Sequence, residues 1–113
     1  MSLFDQVNTA ENSGEESAKE KHLPVLSVKK LADNRFEVHI HVGGGSHPNE
    51  PAHWIQWAGL RINECFIGRV EFSAKIMEPV CTFTVTPDKL PATLSVVARC
   101  NIHGLWRSDC TLA

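Results

Sequence analysis

Alternation of apolar and polar residues is clearest at residues 35–42. Four apolar residues alternate there with four polar ones: Phe36, Val38, Ile40 and Val42 with Arg35, Glu37, His39 and His41. A period of two predicts a strand with one face buried and the other in water. His39 and His41 belong to the polar face, so we interpret them as solvated residues and include neither in a functional site.

Six further segments have the composition of strands and end at turn residues. They are residues 25–29, 53–62, 65–74, 79–86, 93–99 and 105–112. Asn63 and Glu64 separate two of them at hairpin spacing, and a long Gly- and Pro-rich loop follows Val42. Short strands bounded by turns every eight to twelve residues predict an all-β fold. We expect an immunoglobulin-like β-sandwich of about seven strands.

The N-terminal residues follow a different pattern. Residues 1–19 are polar and acidic, which predicts a mostly irregular arm. Glu15 and Lys19 form an i,i+4 pair that would suit a short helical turn. We therefore divide the chain into an arm, residues 1–19, and a single β-sandwich domain, residues 20–113.

Composition and charge exclude several classes of protein. The chain has 113 residues, of which 42% are hydrophobic and 21% charged, as in an ordinary globular domain. Its net charge of −2 offers no basic face for nucleic acid. We find no apolar run long enough for a membrane span and no secretory signal in residues 1–20. We expect a cytoplasmic protein with reduced thiols.

Four cysteines are present: Cys65, Cys81, Cys100 and Cys110. Cys65 and Cys81 fall within predicted strands, where a small buried hydrophobic residue is the default interpretation. Cys110 is compatible with a free, a buried or an intermolecularly paired thiol. The chain has no Cys-x-x-Cys pair, which excludes a rubredoxin-like or zinc-ribbon site.

Histidine is the most informative residue type, with six in a chain of this length. Four of them lie in predicted loops or at strand ends: His22, His47, His53 and His103. The last belongs to a Cys-x-x-His turn that begins at Cys100. Imidazole and thiolate together suit zinc, copper or iron. A sandwich brings loops that are distant in sequence to one end, so the pattern predicts a metal site there.

Three segments carry a resemblance to a known family. Residues 20–24 (Glu-Lys-His-Leu-Pro), 47–53 and 100–106 together resemble the one-iron superoxide reductases, or neelaredoxins. Their iron domain is shared with desulfoferrodoxin. The resemblance spans residues 20–108. The first cysteine is Cys65, so we expect no additional N-terminal four-cysteine domain with a second iron.

The resemblance implies a role for each matching residue. The four imidazoles of His22, His47, His53 and His103 and the thiolate of Cys100 would bind one mononuclear iron, Fe²⁺ or Fe³⁺. His103 would bind through the ring nitrogen that the other three do not use. Glu20 would occupy the sixth coordination position in the oxidised state, and Lys21 would attract the anionic substrate. Ile102 and His103 would donate backbone N–H groups to the sulfur. Ala52 and Trp54 depart from the family pattern, since relatives often carry charged residues or histidine there.

The activity that the resemblance implies is superoxide reduction. One electron and two protons would convert superoxide to hydrogen peroxide without producing dioxygen. A rubredoxin-like or other small protein would supply the electron, and we expect a homo-oligomer, either a dimer or a tetramer. Two alternatives remain: a non-catalytic iron electron-transfer module and a zinc-stabilised β-sandwich interaction domain.

Overall fold

The fold consists of two β-sheets, as a computed structural model that describes residues 7–12 and 21–113 shows. Eight strands are present in these residues: β1 (Val7–Asn8), β2 (Pro24–Ala32), β3 (Arg35–Val42), β4 (Ile55–Ile62), β5 (Cys65–Glu71), β6 (Val80–Val85), β7 (Ala92–Cys100) and β8 (Gly104–Leu112). One sheet has the order β1-β8-β7-β4-β5 and the other β2-β3-β6. The predicted all-β sandwich is confirmed.

The alternating segment forms β3 with the predicted bounds, Arg35–Val42. Phe36, Val38, Ile40 and Val42 are buried on its inner face, while His39 on the outer face is exposed. The facing five-stranded sheet contributes buried apolar residues from β4, β7 and β8, among them Leu60, Leu94, Val96 and Leu112. Removal of these side chains from water is the main contribution that holds the two sheets together.

The hairpin predicted at Asn63 and Glu64 joins β4 to β5. Both residues have positive φ, 49° and 68°, the left-handed backbone conformation that lets a two-residue hairpin turn match the right-handed twist of its strands. Ile62 and Cys65 pair directly across it. The expectation of a buried Cys65 is wrong, since its side chain is exposed beside the turn. Cys81, in contrast, is partly buried and packs against the core.

Part of the predicted arm belongs to the sheet. Val7 and Asn8 form β1, which pairs in parallel with Leu105 and Trp106 of β8. Asn8 Nδ2 also donates to the Leu105 carbonyl (3.0 Å). The arm is therefore not irregular throughout. The predicted helical turn at Glu15–Lys19 lies outside the described residues.

An ionic cluster covers the outer face of the five-stranded sheet near its hairpin end. Arg107 of β8 donates to both carboxylate oxygens of Glu64, to Asp109 Oδ1 (2.9 Å) and to the hydroxyl of the fully buried Ser95 (2.9 Å). The bonds from Arg107 to Glu64 favour the ionised carboxylate and lower the pKa of Glu64 below its usual value. The cluster links the turn to β7 and β8.

Across residues 7–12 and 21–113, no helix has the length and apolar character needed to cross a membrane.

Candidate metal centre

Five side chains predicted as ligands meet at one end of the sandwich. His22 precedes β2, and His47 and His53 lie in the loop between β3 and β4. Cys100 ends β7, and His103 lies in the turn that leads to β8. The site therefore draws on segments attached to both sheets, although its residues are far apart in sequence.

The distances among these side chains are those of a metal-binding cluster. The ligand atoms of His22, His47, His53 and Cys100 all lie within 4.8 Å of one another. His47 Nε2 is 3.2 Å from Cys100 Sγ. His103 Nδ1 is 3.1 Å from His22 Nε2 and 3.7 Å from Cys100 Sγ. The imidazole rings contact one another edge to face, with centroids 4.7–5.0 Å apart.

Different ring nitrogens point into the cluster. His22 and His47 approach it through Nε2, whereas His103 approaches it through Nδ1. This difference follows from chain geometry, since His103 lies in the tight turn that begins at Cys100. The assignment of all five as ligands to one ion stays a prediction.

A close backbone approach brings His22 into the site. The loop after β3 begins with a 3-10 turn, Gly43–Gly45, in which Gly43 has φ +72°. A Cβ atom at Gly43 would lie 2.0 Å from the carbonyl oxygen of Lys21, so only glycine fits. The Gly43 N–H donates to the Leu23 carbonyl (2.9 Å). The segment that carries His22 is thereby fixed against the loop that carries His47.

Backbone contacts fix the two loop imidazoles. His47 Nδ1 lies 2.6 Å from the Pro48 carbonyl oxygen, and donation to it leaves Nε2 of the neutral ring unprotonated toward Cys100 Sγ. Glu50 and His53 exchange two backbone hydrogen bonds of 3.0 and 2.9 Å. The loop thus presents both rings in defined orientations.

The thiol lies in a shell of fixed groups. Cys100 is fully buried, and the His103 N–H donates to its sulfur (3.3 Å). The structure gives no corresponding bond from Ile102 within the described chain. Trp106 Nε1 donates to the His103 carbonyl (3.1 Å), and the indole stacks on the His22 ring with centroids 4.6 Å apart and planes 14° apart. Trp106 therefore supports two of the imidazoles.

Burial and mutual repulsion lower the pKa values of the two loop imidazoles, His47 and His53. The pKa of His47 is lowered to about 4, mainly by burial and also by the nearby His22, His53 and His103, while the Pro48 carbonyl opposes the shift. Burial is also the main cause of the lowered pKa of His53, with His103 and Lys21 adding to it. Neutral imidazole is the form that binds a metal.

One buried polar atom indicates that a cation fits. His53 Nε2 has no hydrogen-bond partner within the part of the chain that the structure describes, although it is fully buried. Such an atom is costly unless something satisfies it. The His53 ring contacts those of His47 and His103, and its ligand atom lies within 4.8 Å of the Cys100 thiol. Imidazoles and a thiol are the donor chemistry of zinc, copper or iron. These residues therefore fit a metal ion.

Lys21 and Glu20 were also predicted as site residues, and the structure describes only Lys21. Lys21 is exposed, and its charge contributes to the lowered pKa of His53, so it lies beside the cluster. Glu20 lies outside the described residues. His39, excluded above, lies on the outer face of the three-stranded sheet, where Nδ1 is 2.9 Å from Thr82 Oγ1.

Comparison with known proteins agrees with this centre. A family model described as desulfoferrodoxin matches residues 14–109. The chain belongs to the desulfoferrodoxin family. The superoxide reductase of Thermococcus kodakarensis is 36% identical to this desulfoferrodoxin-family chain over 103 residues, which cover 82% of the chain and 88% of that protein. The superoxide reductase of Pyrococcus horikoshii is 35% identical, with the same coverage.

Solved structures show the same fold. The superoxide reductase (neelaredoxin) from Ignicoccus hospitalis superposes with a TM-score of 0.86 at 32% identity, covering 99% of this desulfoferrodoxin-family chain and 98% of that chain. The neelaredoxin from Archaeoglobus fulgidus in the reduced form gives a TM-score of 0.76 at 31% identity, with 96% and 98% covered.

Sequence reasoning assigned no role to three residues that contact the segments carrying the predicted ligands: Gly43, Trp106 and Asn101, whose side chain bonds to Ala52 and Trp54. Asn101 and Trp106 stand beside the predicted ligands, but adjacency does not show which neighbour a side chain contacts. The run of three glycines was a usable signal, since consecutive glycines favour positive φ and close backbone approach. The partner of that approach, Lys21, follows only from the fold.

Proposed function

We propose that this chain is a superoxide reductase, with His22, His47, His53, Cys100 and His103 as the ligands of one iron ion. One observation carries the proposal: four imidazoles and one thiol converge at one end of a sandwich in a desulfoferrodoxin-family chain. Relatives that bear the name superoxide reductase cover most of the chain. The net reaction joins superoxide with one electron and two protons to give hydrogen peroxide.

Five donors exceed the four of a closed structural zinc site. This number supports a centre with five protein ligands and one open position rather than a zinc-stabilised interaction domain. When bound, iron would supply the transferred electron and the open position at which superoxide is reduced. Cys100 would be its thiolate ligand, which metal binding favours over the thiol.

Contacts around the sulfur set how strongly Cys100 donates. The His103 N–H points at Sγ and withdraws part of the thiolate charge. Hydrogen bonding from Trp106 Nε1 to the His103 carbonyl restrains the turn that carries that N–H. The chain therefore fixes the electron donation of the sulfur through the backbone of a ligand residue.

Lys21 would act on the substrate. Superoxide is a small anion, and the chain carries a net charge of −2, so attraction has to come from a local cation. Lys21 is exposed and adjacent to His22, where its charge already affects His53. Its ammonium group would raise the local concentration of superoxide. For Glu20 we propose the role of a carboxylate that occupies the open position of the oxidised centre.

The remaining features of the proposal come from the sequence and the family resemblance. The electron donor would be a rubredoxin-like or other small one-electron protein. A cytoplasmic location, a homo-oligomeric state and the division into residues 1–19 and 20–113 stay predictions.

Product stoichiometry tests the activity. Anaerobically reduced, iron-loaded protein is mixed with a smaller amount of superoxide, and hydrogen peroxide and dioxygen are measured. We expect one peroxide per superoxide, with oxidation of the protein and no dioxygen, because the electron comes from the centre. One peroxide per two superoxides, with dioxygen, would show a dismutase instead.

Controls separate the two other functions. Cys100→Ser should abolish the thiolate-to-iron charge-transfer band of the oxidised protein, because Cys100 would be the only sulfur ligand. An electron-transfer module would show this band and yet react slowly with superoxide. A protein that binds zinc stoichiometrically and takes up no iron would overturn the reductase proposal.

A further inference from the structure

Asn101 connects the two halves of the metal centre. It directly follows Cys100, and its side chain reaches both residues that flank His53. The Trp54 N–H donates to Asn101 Oδ1 (2.9 Å), and Asn101 Nδ2 donates to the Ala52 carbonyl (3.0 Å). The Asn101 N–H also donates to the Trp54 carbonyl (3.2 Å).

These bonds occur where the sheet ends. The pairing of β4 with β7 begins at Ile55 and Cys100, and the backbone bond from Asn101 to Trp54 extends it by one step. His53 lies beyond this step, outside the strands. The Asn101 amide therefore holds the chain on both sides of His53, where the backbone hydrogen bonds between β4 and β7 no longer reach.

The pattern requires a side-chain amide. One group has to accept from Trp54 and donate to Ala52 at the same time, which Asn does and which Asp, Ser or Leu cannot reproduce in the same geometry. No hydrogen bond from the described residues holds the buried His53 Nε2. The position of the ring therefore rests on its edge-to-face contacts with His47 and His103 and on how its backbone is held.

We propose that Asn101 is a positioning residue that fixes the His53 imidazole relative to the Cys100 thiolate. The inference rests on the proposed function, since it concerns the same iron site. Asn101 would not contact the ion. It acts through the two peptide groups that flank His53.

Asn49 provides a matched control in the same loop. Its side chain also makes two hydrogen bonds, accepting from the Lys75 N–H (2.8 Å) and donating to the Met77 carbonyl (2.9 Å). Both asparagines are half-buried. Asn49, however, joins the loop to the segment before β6 and not to the turn that carries Cys100.

The first experiment titrates the metal-free proteins with Co²⁺ under anaerobic conditions. Thiolate-to-cobalt charge transfer reports Cys100, and the ligand-field bands report the coordination geometry. We expect Asn101→Ala to weaken Co²⁺ binding about 10- to 100-fold and to shift the ligand-field bands, as loss of a residue supporting a ligand usually does. Asn49→Ala should stay within about threefold of the unmodified protein, at a comparable loss of stability to urea.

A double-mutant cycle then tests the route. If Asn101 acts through His53, its substitution should change Co²⁺ affinity by less than about twofold once His53 is already alanine. An undiminished Asn101→Ala effect in the His53→Ala background would refute positioning through His53, because it would show a general structural role.

The remaining outcomes are also distinct. If the unmodified protein binds Co²⁺ with the thiolate band and Asn101→Ala shows the same affinity and spectrum, this inference alone is overturned. Failure of the unmodified protein to give the thiolate band would overturn the proposed function and this inference with it. If Asn101→Ala does not fold, Asn101→Asp keeps the acceptor for Trp54 and loses only the donor to Ala52. It should weaken binding in the same direction, and unchanged affinity would refute the inference.

Discussion

Substitution of Gly43 should disable the metal centre without altering any ligand. In Gly43→Ala the new Cβ would lie 2.0 Å from the Lys21 carbonyl oxygen, a distance that has to increase to about 3.0 Å. The oxygen belongs to the backbone, so no side-chain rotation relieves the overlap. The segment containing His22 therefore has to move away from the loop.

Two contributions determine how much Gly43→Ala lowers the free energy of unfolding. An L-residue in the left-handed conformation, φ +72° at Gly43, costs about 1–2 kcal/mol. A shift of about 1 Å would also break the 2.9 Å bond from the Gly43 N–H to the Leu23 carbonyl, which leaves a buried group unpaired at about 1–3 kcal/mol. We expect a loss of about 2–5 kcal/mol in the free energy of unfolding.

Gly44→Ala is the matched control. Gly44 also has positive φ, +59°, but its Cβ would meet only Val25 Cγ2 at 3.6 Å, an ordinary contact. It should cost only the conformational contribution of about 1–2 kcal/mol and leave His22 in place.

Urea unfolding followed by tryptophan fluorescence measures the stabilities, and Co²⁺ titration measures the site. We expect at least about tenfold weaker Co²⁺ binding for Gly43→Ala and less than about threefold for Gly44→Ala. If Gly43→Ala and Gly44→Ala had unfolding free energies within about 0.5 kcal/mol of each other and equal Co²⁺ affinities, the close approach at Gly43 would not be what positions His22.

Three further predictions concern charge and thiols. Lys21→Ala should slow the second-order reaction with superoxide at low salt while iron content is unchanged, as pulse kinetics would show; an unaltered rate would remove the steering role. Cys65 should react first with a thiol reagent at pH 8, because it is exposed while burial raises the pKa of Cys81 to about 11 and leaves about one thiolate in a thousand; persistence of the fast phase in Cys65→Ser would contradict this. Glu64→Gln should destabilise the protein at neutral pH. The pKa of Glu64 is lowered by Arg107, so the stabilisation is present above the usual carboxyl pKa of 4.5 and is lost as pH falls through the folded value. The difference in urea midpoint between the two proteins should therefore shrink in acid, and a constant difference would exclude the ion pair as its cause.

Much of the fold followed from local patterns. The bounds of β3 were predicted correctly because alternation over eight residues is a strong signal, and the hairpin at Asn63 and Glu64 followed from its spacing. Cys65 was wrong because a residue next to a two-residue turn lies at the edge of the sheet, where strand composition says little about burial. The short β1 carried no pattern of its own, since pairing with β8 decides it.

In the candidate site, too, some residues could be predicted from the sequence and others could not. Residue type identified the five side chains that the structure brings together, because only histidine and cysteine supply imidazole and thiol groups and both are easily located in a sequence. Gly43, Asn101 and Trp106 act through contacts between segments far apart in the chain, which no single-sequence pattern encodes. Their roles depend on which backbone lies opposite, and only the assembled sheets determine that.

The attachment of the cluster to both sheets has a consequence for the life of the protein in the cell. His22 and His103 are 81 positions apart, so the cluster assembles only after segments from both sheets have come together. A nascent or partly degraded chain cannot gather these groups and would therefore bind no ion by this route. The ion would be captured only by finished molecules and would then lock the two layers together. Capture of the proposed iron would serve as a check on completed folding, and incomplete copies would not become a source of loosely held, reactive iron.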